Sequence, residues 1–291
     1  FLTPFGYDEE LSIAPYILID EQEGALRAFS TLRGPNTLGM FLLLPIAILL
    51  VYVYRHRRLA YTLPALVLAI LTVLATGSRS AWIGMFVVFC LVGLALLGQE
   101  QALKLAKRWG VATLVVITLL VVAAFEYPPL RLAIFHSNPD DTHLTEGSTD
   151  AHIEATVDGA KDALAHPLGR GPGQAGPASF YNTSARIAEN YYVQVSQEVG
   201  FIGLILFLAI SFIVARKLWR ASKYPHAPPL VIGLMASFWG IAVVNILLHG
   251  WADDPTALVW WGLAGLTLAI GLDSRQDSAT ATSTRRRTPR R

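Results

Sequence analysis

The side chains best suited to chemistry in this chain are Glu189, His152 and His249, together with a set of arginines. A carboxylate or an imidazole can take a proton from a hydroxyl group when it acts as a general base. Guanidinium groups bind phosphate and carboxylate oxygens in pairs, so the arginines suit an anionic ligand. A base beside an anion site can move a group from a phosphorylated donor to a hydroxyl acceptor.

Each of these residues also has an ordinary structural explanation. Glu189 can complement the dipole of a helix that begins beside it. His152 can be an exposed loop histidine, or it can be a second base or a hydrogen-bonding partner of the first. His249, Asp253 and Asp254 lie in one polar turn, which either lines the same cavity or is only a polar turn. The residues alone leave these alternatives open.

Apolar runs alternate with clusters of positive charge along most of the chain. Sixteen of the 23 Lys and Arg residues fall into four clusters, at 55–58, 104–108, 216–223 and 275–291. The clusters fall at alternate ends of consecutive runs, as the positive-inside rule requires. The runs can cross a hydrocarbon core of roughly 30 Å as helices; they are 38–54, 59–76, 81–98, 109–125, 201–215, 229–248 and 256–272. The pattern predicts an all-α, polytopic transmembrane helical bundle of about seven spans.

This topology divides the chain into five segments. An outer segment, 1–37, is followed by four spans within 38–125, a large outer loop at 126–200, three spans within 201–272 and a basic cytoplasmic tail at 273–291. Apolar residues make up 53% of the chain and charged residues 15%, less charge than soluble domains carry. The chain begins with Phe1 rather than Met, and we expect it to be part of a longer protein whose earlier spans are missing.

The outer loop carries signals for two or more amphipathic helices. Its first apolar positions recur at helical spacing, at Ile153, Val157, Ala160 and Leu164. Pro167 is predicted to end that helix. A second helix is predicted to begin near Ala188 and to run into the fifth span.

The basic residues outside the four clusters are almost all arginine. Lys and Arg satisfy the positive-inside rule about equally, so this bias calls for another cause. Ion pairs with the acidic loop explain some members, while the whole set favours an anionic ligand on the outer face. The seven residues are Arg27, Arg33, Arg79, Arg131, Lys161, Arg170 and Arg186.

Several segments together resemble the O-antigen ligase / O-antigen polymerase superfamily of bacterial envelope transferases (the Wzy/WaaL group). The first are RGPNTLG at 33–39, which opens a span, and TGSRSA at 76–81, which lies between spans. Within and after the long outer loop come HPLGRGPG at 166–173, ENYYVQ at 189–194 and EVGF at 198–201. Their order and placement carry the resemblance, which covers nearly the whole chain and corresponds to the C-terminal part of a typical member.

The resemblance implies a metal-independent membrane glycosyltransferase that needs no cofactor. Its donor would be a glycan on undecaprenyl diphosphate, and its acceptor a glycan or lipid hydroxyl. The reaction would take place on the outer face of the bacterial cytoplasmic (inner) membrane, with the lipid bilayer but no nucleic acid as a partner. The resemblance implies arginines that bind the diphosphate and a loop residue that serves as base. From the residues themselves, the candidate catalytic residues are Glu189, as the base, and His152, as a second base or its partner. The candidate substrate-binding residues are Arg33, Arg79, Arg170, Asn190 and His249.

Within the superfamily, the sequence favours a polymerase over a ligase, because ligases usually carry His-Asn where this chain has Glu189-Asn190.

Two functions outside this interpretation compete with it. A transporter or flippase of lipid-linked glycan would carry charges inside its spans. The predicted spans hold almost none, and this favours chemistry at the surface. Transfer of glycan to a protein acceptor would use the same site and stays open.

The predicted orientation can be tested by labelling cysteines in intact spheroplasts. After Cys90 is replaced by serine, a cysteine at position 79 or 170 should react with a membrane-impermeant reagent, because both positions are predicted to face outside. Reaction only after the membrane is permeabilised would reverse the topology.

Overall fold

A computed structural model of the protein describes residues 16–18, 26–28, 30–32, 34–126, 148–181, 186–224 and 226–287. The architecture is all-α and of the membrane type, as predicted. The longer elements are α1 (Pro35–Phe41), α2 (Leu43–Tyr54), α3 (Leu59–Ala75), α4 (Arg79–Glu126), α5 (Ser148–Ala165), α6 (Tyr191–Ser222), α7 (Pro229–Leu247) and α8 (Asp254–Arg287). Short 3₁₀ helices lie at Gly176–Tyr181 and Gly250–Ala252.

Four helical segments among the described residues are long and apolar enough to cross a membrane. They are Pro35–Tyr54, Arg79–Gln101, Tyr191–Ser222 and Pro229–Leu247, and α3 is apolar but slightly shorter. The predicted spans at 109–125 and 256–272 lie within helices α4 and α8 but are not among the four. The count of about seven spans and the division into five segments therefore stay predictions.

Helix α7 forms the centre of the bundle. It begins with Pro229, whose fixed φ suits the first turn of a helix. About 67% of its apolar 18-residue stretch is buried, against 17% of the corresponding stretch of α6. Helix α4 approaches it closely where two glycines face each other: a Cβ on Gly84 would lie 2.8 Å from Val244 Cγ2, and one on Gly240 would lie 2.8 Å from Gly84 O. Small residues thus bring the two helices together, as is common between membrane helices.

Two long helices are interrupted at glycines with positive φ. Helix α4 breaks at Gly98 (φ 75°) and helix α6 at Gly200 (φ 70°). The first break falls at the predicted end of the third span. The segment 99–108, which joins the predicted third and fourth spans, is helical, because one glycine changes the direction of the chain without a loop.

The helix ends are tied together across the bundle. At the predicted inner end, Arg55 Nη1 donates a hydrogen bond to Ala227 O at 2.9 Å. At the predicted outer end, Thr37 Oγ1 donates to Asp253 Oδ2 at 2.9 Å, and both residues are buried. Each contact joins segments that the charge pattern assigns to the same side of the membrane.

A pair of short strands precedes the first helix. Strand β1 (Tyr16–Leu18) pairs with β2 (Leu26–Ala28) in antiparallel register, with Ile17 opposite Arg27. The sequence suggested only an apolar patch near residue 16. Three residues a strand are too few to show the alternation that predicts strands.

The contact between α4 and α7 predicts a difference between two glycines of one helix. Gly84→Ala should lower the unfolding temperature of the purified protein in detergent, because overpacking a close contact typically costs about 1–3 kcal/mol. Gly93→Ala is the matched control, since a Cβ there would meet nothing within 4 Å. Equal unfolding temperatures in the two variants would show that the helices are not held as closely as the structure has them.

Candidate active site

The turn between α3 and α4 presents Arg79 at the start of a helix. Gly77 takes a positive φ of 61°, which allows the chain to reverse directly after α3. Ser78 follows and stabilises the first turn of α4, where its Oγ accepts a hydrogen bond from Ala81 N at 3.4 Å. Ser78 Oγ also lies 3.1 Å from Ser80 Oγ. Arg79 is thereby held at the end of the bundle.

Strand β2 brings a second arginine to the same turn. Arg27 Nε donates to Thr76 O at 2.8 Å, and Nη2 donates to Asn36 Oδ1 at 2.9 Å. These bonds hold the guanidinium group of Arg27 between the N-terminus of α1 and the C-terminus of α3. Arg27 was one of the outer arginines in the sequence, but it was not selected as a site residue because nothing local revealed the strand that positions it.

Asn190 fixes the start of α6 on the end of α7. Its Oδ1 accepts hydrogen bonds from the backbone of Tyr192 and Val193 at 3.0 and 3.1 Å, so Asn190 is the N-cap. Its Nδ2 donates to Ile246 O at 2.9 Å, and Tyr191 N donates to Leu248 O at 3.0 Å. Glu189 is therefore held directly before the helix, one residue outside the cap.

Two histidines approach one carboxylate oxygen of Glu189. His152 Nδ1, on α5, lies 3.4 Å from Glu189 Oε2, and His249 Nδ1, in the turn after α7, lies 3.8 Å from the same atom. Burial acts to raise the pKa of the Glu189 carboxyl, but its interaction with His152 and the charge of His249 outweigh burial, so the pKa lies below the usual value for glutamate.

One cavity of about 600 Å³ joins the arginines to Glu189 and His152. Its polar side is formed by the ends of α1, α3 and α4 and by β2, and the residues there include Arg27, Asn36, Ser78, Arg79 and Ser80. Thr156 of α5 adds another hydroxyl group to the lining. The cavity thus places two cationic side chains and a carboxylate–imidazole pair within reach of one ligand.

The lining of the same cavity also contains apolar side chains. Ile153, one of its lining residues, is 58% exposed, and Ile246, another, is 54% exposed. Exposed apolar side chains beside a polar site favour an amphiphilic ligand or a lipid surface. The apolar lining residues are Ile83, Ile153, Val157, Ile246, Leu247 and Leu248.

The structure brings five of the seven predicted site residues together. Arg79, His152, Glu189 and Asn190 line the cavity, and His249 contacts Glu189. Arg33 lies outside the described residues.

Arg170 is not among the lining residues. Its guanidinium group instead binds the carboxylate of Asp162 through Nε and Nη2.

Other site residues were not predicted individually. Asn36, Ser78 and Ser80 stand beside Arg33 or Arg79 in the two segments RGPNTLG and TGSRSA, so those segments held the signal. Thr156 gave no signal in the sequence, because a single threonine on a helix has no distinguishing pattern. Among the described residues, no group of three or more His, Cys, Asp or Glu side chains is placed to hold a metal ion.

The comparisons with known proteins give one match. Residues 64–208 match the model of a family described as O-antigen ligase. The matched segment contains Arg79, His152, Glu189 and Asn190, whereas Arg27 and His249 lie outside it. No curated protein and no solved structure matches the chain.

Proposed function

We propose that the chain, whose residues 64–208 match the family model described as O-antigen ligase, is a membrane glycosyltransferase acting on the outer face of the bacterial cytoplasmic membrane. It transfers or polymerises glycan from an undecaprenyl-diphosphate-linked donor, and polymerisation is favoured over ligation. The single observation that carries this proposal is the cavity in which Arg27 and Arg79 share a lining with Glu189 and His152.

The arginine side of the cavity suits the diphosphate of the donor. Negative charge develops on the diphosphate as the bond to the sugar breaks, and guanidinium groups stabilise that charge. Arg27 and Arg79 are the described candidates, and Arg33 remains a third. The apolar side, with Ile153 and Ile246, suits the isoprenoid chain that leads from the diphosphate into the bilayer.

The Glu189–His152 pair suits activation of the acceptor hydroxyl. A carboxylate whose pKa is lowered is a weak base at neutral pH, whereas histidine is the side chain that most often serves as a general base. His152 Nδ1 faces Glu189, so Nε2 is the nitrogen available to a substrate. We therefore assign the proton transfer to His152 and its orientation to Glu189, an arrangement in which the carboxylate also stabilises the imidazolium that forms.

The direct test supplies purified full-length protein with lipid-linked repeat units, with and without added acceptor. Extension of the glycan chain on the lipid carrier indicates a polymerase, and transfer only to an added acceptor indicates a ligase or a protein transferase. Movement of intact donor across a proteoliposome membrane, without new glycosidic bonds, would support a flippase instead.

The anion site predicts that lysine cannot replace arginine. Arg27→Lys and Arg79→Lys should each lower kcat/KM about ten- to a hundredfold, nearly as much as the alanine variants, because a point charge cannot reproduce a paired contact worth roughly 1.5–3 kcal/mol. Arg57→Lys, on an exposed residue of the predicted inner loop, is the matched control. Full activity in both lysine variants would rule out paired recognition of the diphosphate by these arginines.

The base assignment predicts where activity is lost on acidification. A general base works only when it is deprotonated, so kcat/KM should be high at neutral pH and fall on acidification, as the base becomes protonated. His152→Gln should cost about 10²–10⁴-fold. If the activity instead persists to below about pH 4.3 and depends on Glu189 but not on His152, the carboxylate itself is the base.

A further inference from the structure

The break in α6 is filled by the loop that follows α5. In an uninterrupted helix, Phe201 N would donate to Gln197 O. Here Phe201 N donates to Pro167 O at 3.0 Å, while Gln197 O accepts from Arg170 N at 2.7 Å and Glu198 O accepts from Gly171 N at 2.9 Å. The loop therefore supplies the hydrogen bonds that the break removes, which a helix entering a membrane requires.

The fit between the loop and the break depends on two glycines. A Cβ on Gly169 would lie 2.5 Å from Glu198 O, and a Cβ on Gly200 would lie 2.5 Å from Pro167 O. Both glycines also have positive φ, at 82° and 70°. The loop and the helix are therefore in backbone contact, so this joint has little freedom to move.

Asp162 attaches helix α5 to the same joint. Both of its carboxylate oxygens lie 3.0 Å from Arg170 Nε, which donates one bifurcated hydrogen bond to them, and Oδ1 also accepts from Arg170 Nη2. Oδ2 accepts a further hydrogen bond from Gln197 Nε2 at 3.0 Å. The hydrogen bond from Arg170 is the main reason that the pKa of Asp162 lies below its usual range. One carboxylate thus connects the end of α5, the loop and α6.

Helices α5 and α6 run side by side from this attachment to the cavity. Asp162 meets Gln197 at one end, and His152 meets Glu189 at the other. Ten residues of helix, about 15 Å, separate His152 from Asp162. Between them Gly159 allows a close approach, since a Cβ there would lie 2.7 Å from Ala188 Cβ.

We propose that Asp162 and Arg170 are positioning residues, which fix the register of α5 against α6 and thereby hold His152 at Glu189. The proposal rests on the proposed function for its effect on activity. It also assigns Arg170 a role other than the one inferred from its sequence, since its guanidinium group is bound to Asp162 and does not line the cavity.

The test combines a double-mutant cycle with a titration of Glu189. The variants are Asp162→Asn, Arg170→Gln and the two together. Asp158→Asn is the matched control, because it breaks the exposed pair of Asp158 with Lys161 on the same helix. Gly159→Ala separates the helices while leaving the Asp162–Arg170 pair intact. Infrared difference spectra assigned with Glu189→Gln report the titration without requiring transfer activity.

We expect the two single variants and the double variant to lose activity to the same extent. Each single variant should lower kcat about tenfold or more with little change in the KM for the lipid-linked donor, and the double variant should be no worse than the singles. The pKa of Glu189 should rise in all three and in Gly159→Ala, because burial is no longer offset by His152, and it should stay unchanged in Asp158→Asn.

Two outcomes would overturn the proposal. A raised KM in Arg170→Gln, with kcat and the Glu189 titration unchanged, would make Arg170 a substrate ligand. An unchanged Glu189 titration in every variant would show that α5 needs no such attachment. If the wild-type protein shows no transfer, the titration still decides the positioning role, so failure of the proposed function is distinguished from failure of this inference.

Discussion

The structure depends on the requirement that backbone polar groups near a membrane be hydrogen-bonded. Helix α6 breaks at Gly200, and a break in a helix leaves carbonyl and amide groups without partners. The loop after α5 satisfies them, which fixes the loop, the first part of α6 and α5 relative to one another. Glu189 and Asn190 stand at the start of that fixed part, so the geometry of the site follows from the repair of the break.

The site is assembled from ends of helices. Arg79 is the first residue of α4, Glu189 precedes α6 and His249 follows α7. The lining of the cavity combines two cationic side chains with exposed isoleucines. Such a lining suits the proposed substrate, which is ionic at one end and hydrocarbon at the other.

The sequence predicted the fold class and the helix α5 because both have strong periodic or compositional signals. The family resemblance was also confirmed, over residues 64–208. The sequence did not predict contacts between residues that are distant along the chain. Nothing local shows that β2 delivers Arg27 to Thr76, or that Asp162 binds Arg170, because each contact is made by the packing of separate elements. The direction of the pKa shift of Glu189 is likewise not readable from the sequence, since two histidines distant in sequence determine it.

The position of α7 has a consequence for biogenesis. This helix is the most buried of the four membrane-crossing segments, and its partners α2 and α4 are synthesised well before it. Until α7 emerges, Gly84 of α4 lacks its contacts with Val244 and Gly240, although Leu43 of α2 already reaches it. The earlier helices already contact one another, but the centre of the bundle is completed only when α7 joins them.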